Sequence, residues 1–153
     1  MPDVFPLYTI GYEGATLDEV VNALQAAGVE LLVDVRAVAR SRKVGFAKSR
    51  LAAGLAAGGI GYVHLRGLGT PAEGRAASRA GHHDEMKRVF AEHMATPEAQ
   101  QDLHALAERI ENGERVALLC YEADAAHCHR RPVAEALARL LNLDVTDLAP
   151  TEA

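Results

Sequence analysis

The sequence predicts a single-domain α/β fold, a three-layer Rossmann-like sandwich with a mostly parallel sheet of about five strands and helices on both faces. Three observations carry this. Short apolar runs alternate with longer segments of helical period, the pattern of βαβ units. The run Leu31-Leu32-Val33 is apolar without alternation, as strands covered on both faces are. A length of 153 residues with 49% hydrophobic and 24% charged content suits one core of ordinary composition. The domain is expected over 7–148, with flexible ends at 1–6 and 149–153.

The elements follow from local chemistry. Residues 7–10 read as the first strand, closed by Gly11 and Gly14. Thr16-Leu17-Asp18-Glu19 is a capping box for a helix whose Val20, Val21, Leu24 and Ala27 share one face, and Gly28 ends it. The second strand, 31–33, runs into Asp34-Val35-Arg36, and an irregular basic segment follows. Ser49 is expected to cap a helix ending at Gly58-Gly59, before a third strand at 60–64. Residues 65–81 are rich in Gly, Ala and Arg without clear period and read as a mobile lid. A short helix is expected at 84–94. Thr96-Pro97-Glu98 then provides a cap, a first-turn Pro and a first-turn acid for a helix ending at Gly113. A fourth strand at 116–120, a helix at 130–141 with Pro132 in its first turn, and a last strand at 144–147 complete the chain.

No run approaches the ~20 apolar residues of a membrane span, and residues 1–6 lack the basic and apolar regions of a signal peptide. The expectation is a cytoplasmic protein with no membrane partner; nothing in the sequence sets its oligomeric state. Two cysteines, close together, do not make a secreted disulfide scaffold.

The net charge of -5 conceals segregation. Residues 36–72 contain no Asp or Glu but carry Arg36, Arg40, Arg42, Lys43, Lys48, Arg50 and Arg66. Such a segment is a local field for something negative, unless its cations pair with acidic helices bearing Glu108, Glu111 and Glu114.

In open parallel sheets, ligands bind beyond the carboxyl ends of the strands. Two segments exit there with reactive residues: Asp34-Val35-Arg36 leading to Ser41-Arg42-Lys43, and Cys120-Tyr121-Glu122 leading to His127-Cys128-His129-Arg130-Arg131. Arg36 and Arg42 suit bidentate recognition of phosphate or carboxylate, with Ser41, Lys43, Arg130 and Arg131 as further anion ligands. Asp34 reads as an orienting acceptor for Arg36 or a nearby amide. Glu122 is the candidate general base and His129 a second proton carrier. Cys128 near a helix start beside two arginines favours a thiolate; Cys120 is either a second thiol or a small hydrophobe finishing a buried strand. A zinc site from Cys120, Cys128 and His127 or His129 would need a distant fourth ligand such as His82 or His83, so no metal or other cofactor is expected. A Cys120–Cys128 disulfide is geometrically open but disfavoured in cytosol.

These residues resemble a known family. Thr9-Ile10-Gly11, Asp34-Val35-Arg36 with Ser41-Arg42, Gly59-Ile60-Gly61-Tyr62 with Leu68-Gly69, and Cys120-x-Glu122 followed by Cys128-His129-Arg130 together resemble the domain of unknown function 488. The resemblance runs from about Tyr8 to Asp147; Cys-x-Glu-x5-Cys-His-Arg is its most specific part. The chain departs from the family pattern at Ala39, where Pro is usual, and at Gly69-Thr70, where a Gly pair is usual. The resemblance implies an α/β fold and a shared polar site, and names no reaction.

The leading functional expectation is a hydrolase or transferase acting on a phosphate-bearing substrate such as a nucleotide or nucleic acid. No Gly-x-Gly-x-x-Gly or Walker pattern occurs, which argues against a dinucleotide dehydrogenase or P-loop ATPase. One alternative is a rhodanese-like sulfurtransferase or thiol phosphatase, although the first Arg after Cys120 is Arg130. The other is a non-catalytic module binding nucleic acid or protein through the basic segment, whose aromatic residues are Phe46 and Tyr62.

Overall fold

In a computed structural model, described over residues 4–39, 41, 43–121 and 130–150, the chain alternates strand and helix except between its third and fourth strands, where a 3-10 turn and three helices follow one another. The elements are β1 (Phe5–Gly11), α1 (Leu17–Ala26), β2 (Leu31–Asp34), α2 (Lys48–Ala57), β3 (Gly61–His64), a 3-10 turn (Arg66–Leu68), α3 (Ala72–Arg79), α4 (His83–Met94), α5 (Pro97–Glu111), β4 (Val116–Cys120), α6 (Arg130–Ala138) and β5 (Leu143–Leu148). The sheet order is β3-β2-β4-β1-β5, and every pairing is parallel. The central strands β2 and β4 are buried end to end, which explains their unbroken apolar sequence.

Side chains alternate between two cores, one on each face of the sheet. Along β4, Val116, Leu118 and Cys120 enter the core built with α4, α5 and α6, whereas Ala117 and Leu119 enter the core built with α1 and α2. The result is a three-layer sandwich. The loop leaving β1 feeds a helix on one face, and the loop leaving β4 feeds a helix on the other. The carboxyl ends of β4 and its neighbours therefore form a topological switch point, where parallel sheets open a crevice.

The caps behave as their residues dictate. Thr16 accepts from the Glu19 amide at 3.2 Å while Glu19 Oε1 accepts from the Thr16 amide at 2.8 Å, and Gly28 takes φ +72° after the helix. Thr96 caps α5 by accepting from the Ala99 amide at 3.3 Å.

Two expectations are corrected. Ser49 does not cap α2: the cap is Ala47, which has no capping side chain, and Ser49 lies inside the first turn. The segment 65–81 is not a lid. Its 3-10 turn is pinned by the Gly67 amide donating to Asp102 Oδ2 at 2.8 Å and by His93 Nε2 donating to the Gly67 carbonyl at 2.7 Å. Helix α3 follows and packs on α4 through Gly74 and Ala77. Small residues on that buried stripe carry little hydrophobic signal, so the period was invisible in sequence. Among the described residues, no helix is long and apolar enough to cross a membrane.

Candidate functional site

The site is built around the end of β2. Asp34 is the last residue of β2 and fully buried; Arg36, two residues on, is 6% exposed. Residues i and i+2 of an extended chain share a face, so the guanidinium folds back on its own neighbour. Asp34 Oδ1 accepts from Arg36 Nε at 2.8 Å and from the Arg36 amide at 3.0 Å, and Oδ2 accepts from Arg36 Nη2 at 2.7 Å. Arg36 Nη1 donates to the Phe46 carbonyl at 2.7 Å and to the Tyr12 hydroxyl at 3.2 Å. Tyr62 donates its hydroxyl proton to Asp34 Oδ2 at 2.6 Å, and His64 Nε2 donates to the Arg36 carbonyl at 2.6 Å. This is a bidentate ion pair in which the fold engages four of the five guanidinium N–H bonds.

The arrangement gives Arg36 a different employment from that expected of it in sequence. Its fork is spent on Asp34, Tyr12 and the Phe46 carbonyl, and it ties the basic loop to the sheet. Burial alone would lower the Arg36 pKa, but the hydrogen bond and charge of Asp34 outweigh it and push it upward. Burial and the hydrogen bond to Asp34 likewise raise the Tyr62 pKa well above the ordinary tyrosine range. The native state thus holds a proton on Tyr62 that the unfolded chain releases above the usual value of about 10. Stability is expected to fall as pH rises past about 10, by up to ~1.4 kcal/mol per pH unit from this group. The Tyr62→Phe variant should lose that part of the alkaline slope in urea titrations at pH 9 to 11.

The loop between β2 and α2 is shaped by Ser41, whose hydroxyl accepts from the Lys43 amide at 3.1 Å, and by the Lys48 amide donating to the Ala39 carbonyl at 3.0 Å. Val44 stands 88% exposed at its tip. Arg42 lies outside the described residues. The pairing of this basic segment with Glu108, Glu111 and Glu114 does not occur among the described residues. Glu114 pairs with Arg109 at 3.2 Å, Arg66 reaches Glu98 at 3.9 Å, and among the described residues no carboxylate lies within 4.0 Å of Lys43, Lys48 or Arg50.

Beside this loop stands an aromatic cluster that sequence reasoning missed. Phe46 stacks on Tyr12 with centroids 4.3 Å apart and planes 9° from parallel; Tyr121 meets Tyr12 edge-on at 5.4 Å. Arg36 lies 5.5 Å from the Tyr12 ring centroid. Tyr12 and Tyr121 each follow the last residue of a strand, β1 and β4. That position at the carboxyl edge was the available signal. The two aromatics singled out in sequence are occupied elsewhere: Phe46 is fully buried and Tyr62 serves Asp34.

The second segment divides. Cys120 ends β4, fully buried and disulfide-bonded. The chain's other cysteine, Cys128, lies outside the described residues, as do Glu122, His127 and His129. The disulfide corrects the expectation that one would not form, and in this state Cys120 presents no thiolate. Arg130 opens α6 but is 1% exposed and turned toward β1, donating to Thr9 Oγ1 at 3.5 Å. Thr9 in turn donates to Asp147 on β5, which also meets Arg131 at 3.8 Å. The structure thus pairs Asp34 with Arg36 at the end of β2, joins Ser41 to Lys43 in the loop that follows, and directs Arg130 and Arg131 to the β1–β5 side. A cavity of about 280 Å³ lies between α4 and α6, lined in part by Lys87, Phe90, Met94, Arg131 and Arg139, and of the two groups only Arg131 reaches it. Among the described residues no three metal-ligating side chains converge.

An all-parallel sandwich with its polar residues at the switch point defines the chain as a Rossmann-like α/β protein. The family model described as domain of unknown function DUF488 matches residues 16–137. The chain belongs to that family. No curated protein and no solved structure matches it.

Proposed function

We propose that the carboxyl edge of the sheet binds a phosphate-bearing ligand, a nucleotide or nucleic acid, through the cations of the loop after β2 and the first turn of α2. One observation carries this reading. Lys48 and Arg50 are exposed in the first turn of α2, which holds no acidic residue and whose Ala47 cap offers no side-chain acceptor. Helix N-termini carry partial positive charge, so cations there are disfavoured by roughly 0.3–1 kcal/mol each. Two cations without a carboxylate partner among the described residues at such a position, with Lys43 nearby in the chain, raise the local potential where backbone donors also point outward, and that combination suits an anion.

The reaction class that accompanies this reading is hydrolysis or group transfer. The candidates are Glu122 as base and His129 near the reacting centre; turnover surviving Glu122→Gln would remove that residue from the role. The buried Asp34–Arg36 pair supports the site by fixing the loop.

The charge arrangement gives opposite expectations for fold and function. Replacing Lys48 and Arg50 together by Glu should raise stability by about 0.5–2 kcal/mol, since acids at a helix start are favourable. The same variant should lose at least tenfold in affinity for a fluorescent oligonucleotide at low salt. Unchanged affinity in a folded variant would contradict the proposal.

A further inference from the structure

We infer that Tyr121 is a stacking platform for a nucleobase and that the ligand of the carboxyl edge is single-stranded nucleic acid; this rests on the phosphate-binding reading above. Tyr121 follows the last residue of β4, at the switch point of the sheet, and remains 48% exposed. Its exposure is not that of a loose surface side chain. It packs T-shaped against Tyr12, which is stacked on buried Phe46 and whose hydroxyl accepts from Arg36. Its carbonyl accepts from the Glu13 amide at 2.8 Å, and the Tyr12 amide donates to the Cys120 carbonyl at 3.3 Å. The ring is therefore backed by a rigid wall while much of its surface faces water. An aromatic held in this way pays little ordering entropy when a second ring stacks on it.

The neighbourhood selects the kind of ring. Phe46, at the far end of the same stack, is two residues from Lys48 and three from Lys43. The cations, which have no carboxylate partner among the described residues, therefore follow the opposite end of the stack from a base on Tyr121, so a ligand that reaches both must be extended. Lys43 belongs to the loop and Lys48 and Arg50 to the first turn of α2, and cations on two elements suit successive phosphates of a strand. An open platform also requires an unstacked base, which a single strand offers and a duplex does not.

The test is fluorescence anisotropy at low salt with a labelled oligo-dT and a backbone of equal length lacking its bases. The wild-type protein is expected to bind the base-bearing strand about 5- to 100-fold more tightly than the abasic one. Tyr121→Ala should remove most of that difference, and Tyr121→Phe should keep it. Equal binding of the two strands by the wild-type protein would overturn the inference and leave the phosphate reading intact, and that comparison needs no variant. Tighter binding of the same sequence as a duplex would overturn it as well. Binding of neither strand would overturn the phosphate reading and this inference together.

Discussion

Replacing Arg36 by Leu is expected to destabilise the protein by about 3–5 kcal/mol, because it strands the fully buried Asp34 carboxylate without its cation. For a chain of this size that corresponds to a loss of roughly 10 °C or more in melting temperature. The Tyr62 hydroxyl and the residue-36 amide remain as donors to Asp34, but they do not neutralise its charge. A double variant, Asp34→Leu with Arg36→Met, should be less damaged than the single one, since removing both charges removes the unpaired one. Urea titration of the three proteins checks the order. A single variant as stable as wild type would mean that Arg36 is not committed to Asp34 and would return it to the ligand.

Gly69→Ala is the second large effect. The backbone of Gly69 is ordinary, with φ -84° and ψ 155°, so conformational freedom is not what requires glycine. Space requires it: a Cβ at Gly69 would overlap the backbone N and Cα of Ala37, and backbone cannot rotate away as a side-chain tip can. Overpacking of this kind costs about 1–3 kcal/mol or more. Because Ala37 begins the basic loop, the same substitution should weaken anion binding. Gly59→Ala provides the contrast. Gly59 has φ +78° with nothing within 4 Å of a built Cβ, so its cost is only the left-handed strain of about 1–2 kcal/mol, with no effect on binding. Thermal melts and oligonucleotide titrations on the two variants separate the cases.

Much of the fold was legible because it rests on local signals. The capping box at Thr16, the Thr96-Pro97-Glu98 start and the unbroken apolar runs of β2 and β4 each have one physical reading, and each marks an element that forms. Ser49 misled because the chain enters α2 two residues earlier, where the loop geometry set by Ser41 and Ala39 decides the start. Helix α3 was hidden because Gly74 and Ala77 are its buried contacts, and small residues lack hydrophobic contrast.

The site was legible in position more than in role. The parallel topology and the charge segregation placed the polar residues at the carboxyl edge. Sequence alone does not say which arginines are used internally. The Asp34-x-Arg36 spacing held the clue, since residues two apart on extended backbone face the same way. Tyr12 and Tyr121 escaped notice because an exposed aromatic after a strand carries no periodic signature; only the folded sheet shows that they meet.

The most direct test of the central claim is the salt dependence of single-strand binding by the wild-type protein. Each phosphate neutralised by a cation contributes about 0.7 to the slope of log affinity against log salt for single strands. With Lys43, Lys48 and Arg50 engaged, the slope should be about -2, and it should become shallower by about 0.7 for each of the three replaced by Ala. A slope near zero, or one unchanged in the Lys43, Lys48 and Arg50 variants, would show that these cations do not hold phosphate and would contradict the account.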